Sequence, residues 1–133
     1  MDVVLQTHTI NPLLALRDIT RFGDNSGYVA KLEVRSGGFM LDRPFYFDEA
    51  GLIAFLTSID SMDRSLAGSA ELRTPHEDDF IHLELSPRGT LYVTGESREY
   101  SELTQRLCFG FTTDQTALGP FVRDLKTASF PNT

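Results

Sequence analysis

A chain of 133 residues, 41% of them hydrophobic, is one domain's worth of sequence and enough to bury a core without metals or disulfides. Nineteen acidic residues against twelve basic ones give a net charge of -7, which argues against nucleic acid or an anionic membrane as a partner and favours a basic protein. A lone Cys108 excludes an internal disulfide, Met1-Asp2-Val3-Val4 has no basic leader, and no apolar run nears the roughly 20 residues that span a bilayer, so a cytoplasmic protein is expected.

The chain opens with a strand over Val3 to Thr7, passes Asn11-Pro12, and reads as extended from Leu13 to Phe22. Gly23-Asp24-Asn25-Ser26-Gly27 is a hairpin loop, rich in residues that tolerate positive φ or bond their own turns. From Tyr28 to Arg35 the period is two. Tyr28, Ala30, Leu32 and Val34 share one face, and Lys31, Glu33 and Arg35 share the other. Ser36-Gly37-Gly38 turns the chain into Phe39 to Phe47, where Pro44, unable to donate to a ladder, predicts an edge strand or a strand end.

Asp48 caps a helix over residues 49 to 62, in which Leu52, Phe55, Leu56, Ile59 and Met62 recur at helical spacing and form one buried stripe. Extended segments return beyond Gly68: Ala70 and Leu72, then Ile81, Leu83 and Leu85, then Leu91 and Val93, then Leu103, Leu107, Phe109 and Phe111. Ser86-Pro87-Arg88-Gly89 is a turn with Pro where φ is preset. A last helix, about 117 to 127, takes Thr116 as its N-cap, which leaves Pro120 in the first turn and Leu118, Phe121, Val122 and Leu125 as its stripe. Residues 128 to 133 read as a loose tail. Strands in runs with only two helices predict a single α+β domain over 1 to 133, an antiparallel meander of about seven strands covered by both helices.

Chemistry-bearing residues are sparse. His76-Glu77-Asp78-Asp79 reads as a solvated acidic loop between two strands, without calcium-loop or zinc spacing. Three like charges at a loop tip gain nothing for folding, so Glu77, Asp78 and Asp79 are the candidate partner-binding residues, with Asp60 and Asp63 on the outer face of the first helix as neighbours. His82 and Glu84 project from the polar face of their strand, where they join Tyr92 and Thr94 on a half-solvated sheet. Cys108 reads as a packed, inert thiol and Asp114 as a turn or cap acceptor. No nucleophile elbow, phosphate loop or dinucleotide fingerprint is present, and neither a cofactor, a metal nor a catalytic residue is expected.

Three stretches together carry a family likeness: Phe47-Asp48 opening a Leu52/Phe55/Leu56 helix, Leu83-x-Leu85 followed by Gly89-x-Leu91-x-Val93-x-Gly95, and Phe109-x-Phe111-x-Thr113-Asp114-Gln115-Thr116-x-Leu118. Over residues 28 to 125 the chain resembles the WapI-type bacterial immunity proteins. The resemblance implies a non-enzymatic protein that binds the toxic C-terminal domain of a polymorphic toxin and occludes it, with a basic toxin domain as partner. The alternatives are a small-ligand-binding module on the sheet face around His82 and Glu84, and a homodimeric α+β domain paired through an exposed edge strand.

Overall fold

Two successive runs of four strands, each closed by a helix, make up the described residues 1–129 of the structure, a computed structural model. The first run is β1 (Val3–Leu5), β2 (Leu13–Arg21), β3 (Gly27–Ser36) and β4 (Phe39–Asp48), followed by α1 (Glu49–Ser65). The second is β5 (Gly68–Arg73), β6 (Phe80–Leu85), β7 (Thr90–Glu99) and β8 (Gln105–Asp114), followed by a 3-10 turn (Gln115–Ala117) and α2 (Leu118–Ser129). All strand pairs are antiparallel and join neighbours in sequence. The α+β class is as expected. The strands number eight, and they divide into two sheets of four because α1 interrupts the extended run between β4 and β5.

Alternation sets the inner faces. Tyr28, Ala30, Leu32 and Val34 of β3 are all buried, while Lys31 and Arg35 are exposed. The Pro44 expectation also holds, since β4 is an edge that pairs only with β3. Asp48 caps α1 by accepting a hydrogen bond from the Gly51 N–H at 2.7 Å, and the stripe Leu52, Phe55, Leu56, Ile59 and Met62 is buried throughout. Leu66, in the left-handed region at φ 57°, ends the helix by donating its N–H to the Met62 carbonyl.

Both sheets and both helices feed one core. α2 packs on β1, α1 packs on α2 and on β5, so the helix pair joins an edge of one sheet to an edge of the other. On the opposite side β8 meets β3 directly, and a ring of strands and helices closes around the apolar interior. Phe55 and Phe121 meet edge to face across the helix pair, with ring centroids 6.4 Å apart. Among the described residues no helix is long and apolar enough to cross a membrane.

Three expectations need correction. Asp114, in place of Thr116, caps the final helical segment, because its carboxylate is two residues farther out and accepts from the Thr116 N–H at 2.9 Å. Leu103 lies outside β8 and is 79% exposed, since Ser101 bonds its carbonyl in a turn before the strand begins at Gln105. The tail expected from residue 128 starts later: residues 128 and 129 complete α2, and the rest falls outside the described residues.

Candidate protein-binding end

The second sheet's meander brings two connections to one end of the molecule, residues 74–79 between β5 and β6 and residues 100–104 between β7 and β8. Together they carry four carboxylates, Glu77, Asp78, Asp79 and Glu102, and no Lys or Arg. The first loop is folded on itself, with Thr74 N–H donating to the Asp79 carbonyl at 2.9 Å and His76 in the left-handed region at φ 62°. Glu77 and Glu102 are exposed and make no ion pair among the described residues. Asp78 is exposed as well and reaches Arg98 Nη1 at 3.2 Å.

Asp79 corrects the picture of a wholly solvated tip. It is 5% exposed, and its carboxylate accepts from the Arg98 N–H at 3.1 Å and the Ser97 hydroxyl at 3.3 Å. The signal was in the pleat: residue 79 shares the inward phase of Ile81, Leu83 and Leu85, so burial continues one step past the strand end. Its charge therefore secures the β6–β7 end.

Beside these loops the two sheets part to leave a cleft of about 300 Å³. β4 contributes Met40, Leu41 and Arg43, β7 contributes Ser97 and Glu99, and β8 contributes Gln105, Arg106 and Leu107. Arg43 occupies an inward phase between Leu41 and Phe45, and its guanidinium latches the sheets together. Nη1 donates to Glu99 Oε1 at 3.1 Å and Nη2 to the Arg98 carbonyl at 3.2 Å, while the buried Nε has no partner. Four large apolar side chains are exposed around the same seam: Phe39 and Met40 at the β3–β4 turn, Tyr100 and Leu103 in the β7–β8 connection. These side chains contribute nothing to the core, being 71%, 65%, 57% and 79% exposed in that order. Sequence reasoning missed this set because Arg43 and Leu103 fit a strand alternation that says nothing about which strands meet.

Electrostatics sharpen the contrast between this end and the rest of the surface. Every Lys and Arg except Arg88 makes an ion pair among the described residues. The cations are thus held locally, and surplus negative charge is left on side chains such as Glu77 and Glu102. Asp60 and Asp63 are not part of the cluster. They sit toward the α1 end that leads into Gly68, the far end of β5 from the acidic loop, and Asp60 is paired with Arg64 at 3.2 Å and Lys126 at 3.4 Å.

The remaining polar residues stand apart from one another. His82 Nδ1 lies 3.6 Å from Glu71 Oε1, and Glu84 stands between Ser69 and Tyr92 in an unbroken ladder whose outer face is open. Cys108 is exposed, contrary to the packed thiol expected, because only the inner face of this sheet is covered; its thiol donates to Glu96 Oε1 at 3.3 Å. A recess of about 340 Å³ between the N-terminal loop and β8 contains Thr7, Thr90, Thr112 and a His8–Asp114 pair at 2.6 Å. The Thr116 hydroxyl first, then the Thr116 N–H and His8, hold the Asp114 carboxyl at about 2. That hydroxyl bonds Asp114. Among the described residues no group of three or more His, Cys, Asp or Glu is placed to hold a metal ion. No family model, no curated protein and no solved structure matches this chain.

Proposed function

We propose that this protein works by binding another protein, as a cytoplasmic, non-enzymatic immunity or interaction protein whose partner is a basic toxin domain. The observation that carries the reading is the acidic end of the second sheet, where the two connections that carry Glu77, Asp78 and Glu102 also carry the exposed Tyr100 and Leu103, beside an open cleft. Apolar side chains at the centre of a contact supply the affinity, and exposed carboxylates near them attract and orient a cationic surface. The sequence likeness to WapI-type immunity proteins supports the toxin as the particular partner. Occlusion needs no reactive group, which suits a protein whose polar side chains are mostly committed to structural pairs.

Co-expression with the product of the adjacent upstream gene tests the proposal. A stable complex is expected to co-purify, to associate more slowly at high salt, and to weaken when Leu103→Ala or Glu102→Lys is introduced. Absence of a complex and of any rescue from toxicity would overturn it. The recess at His8 and Asp114 favours a second reading, a module that takes a small hydroxylated ligand between its threonines, tested by whether His8→Ala abolishes binding of such a ligand.

A further inference from the structure

Resting on that reading of the acidic end, we infer that the free edge of β8 receives an extended, basic segment of the partner, which adds a ninth strand in the cleft between β8 and β4. The direction of the edge groups follows from one hydrogen bond. The Ser36 hydroxyl donates to the Gly110 carbonyl at 3.0 Å, so that carbonyl faces away from β7. In an antiparallel strand the N–H and C=O of one residue point to the same side and alternate along the chain. The β7–β8 register runs without a bulge, so Arg106 and Cys108 share the direction of Gly110 and present their backbone groups to the seam. Among the described residues no group bonds those of Arg106 or Cys108.

β4, the other wall, is guarded against strand pairing. Pro44 removes a donor from it, and Arg43 puts a charge on its inward phase. β8 carries no proline from Gln105 to Asp114, so addition is directed to one wall only. The other wall also carries the Arg43 Nε, a buried donor that lacks an acceptor in the closed seam. The sign of the partner's charge comes from the connections above the cleft, whose carboxylates include Glu102 and Glu77 without a cation of their own. An extended segment with alternating apolar and basic side chains would rest its apolar set on Leu41 and Leu107 and reach those carboxylates with the other.

The test uses the full chain and a free peptide of alternating Val and Lys. Saturable binding is expected, together with slowed hydrogen exchange at the Arg106 and Cys108 amides. The same peptide N-methylated at alternate residues, which keeps the charge and removes the main-chain donors, should bind about tenfold more weakly or worse. Cys108→Pro removes an edge N–H without touching the β7 ladder and should have a like effect while circular dichroism stays native; should that variant fail to fold, the N-methylated peptide decides alone. Three outcomes each overturn the inference: no saturable binding, binding without amide protection, or binding indifferent to N-methylation. The peptide experiment needs no partner protein, so strand addition without any co-purifying basic protein would reject the proposed function and keep the edge site.

Discussion

Asp48 and Asp114 hold equivalent places in the two halves of the chain. Each is the last residue of its strand, each lies opposite the first residue of the preceding strand (Gly27 and Thr90), and each accepts a backbone hydrogen bond that starts the following helical segment. One carboxylate thus does the same job twice, ending a ladder and satisfying a helix donor that has no partner within the helix. The two sites differ in what else they hold, because Asp114 also ties down His8 from the N-terminal loop.

The bonds from the Thr116 hydroxyl and N–H, followed by the one from His8, make Asp114 a measurable contributor to acid stability. Its folded pKa, about 2, lies below the ordinary value of 3.8, so its contribution is complete above the unfolded pKa and is lost as pH falls through the folded one. Near neutral pH, Asp114→Ala should melt below wild type, and the difference should shrink steadily as pH falls from about 4 to about 2. A difference that persists unchanged in acid would show that the carboxylate's charge is not the source.

Phe55→Ala or Phe121→Ala should each destabilise the fold by about 3–5 kcal/mol in denaturant melts, since both rings are 1% exposed and meet where the two helices cover the sheets. A loss below about 1 kcal/mol would mean that the helix pair does not bear on the core as described.

Gly95 of β7 is a position where adding one carbon should matter. A Cβ there would lie 2.3 Å from the Phe109 ring and 2.5 Å from the Phe80 carbonyl oxygen, and the backbone neighbour cannot rotate away. Gly95→Ala is expected to cost about 1–3 kcal/mol by calorimetry, and Phe109→Leu in the same chain should recover part of it. Wild-type stability for the single variant would contradict the close packing of Phe109 over β7.

Charge reversal separates Asp79 from its neighbours. Asp79→Lys should destabilise by about 1–3 kcal/mol or more, because it leaves the Ser97 hydroxyl and the Arg98 N–H without an acceptor in a buried place. Glu77→Lys and Glu102→Lys should leave melting temperature nearly unchanged while slowing association with a basic partner at low salt. Equal stability effects at all three positions would dismiss the division.

Much of this fold was legible in the residues. The α1 stripe from Leu52 to Met62 and the inward set of β3 from Tyr28 to Val34 fell where periodicity puts them, because each faces a core on one side and water on the other. Partition into two sheets was not legible, since the seam between β3 and β8 depends on contacts such as Ser36 with Gly110, separated by 74 residues. The site was readable only in part. Glu77 and Asp78 are exposed as expected, but the charge of Asp79 hid its phase. Alternation along β8 turns Cys108 away from Leu107 and Phe109, but nothing in the residues says whether that other face is covered, and the structure leaves it exposed.

Because every ladder among the described residues joins strands that follow one another in sequence, none of these pairings has to wait for a long loop to close. Each meander can assemble locally, and only the helix pair and the Arg43 latch require the two halves to find each other. In folding kinetics this predicts a transition state with the hairpins largely formed and the seam unmade. Arg43→Ala should then speed unfolding while leaving the folding rate almost untouched.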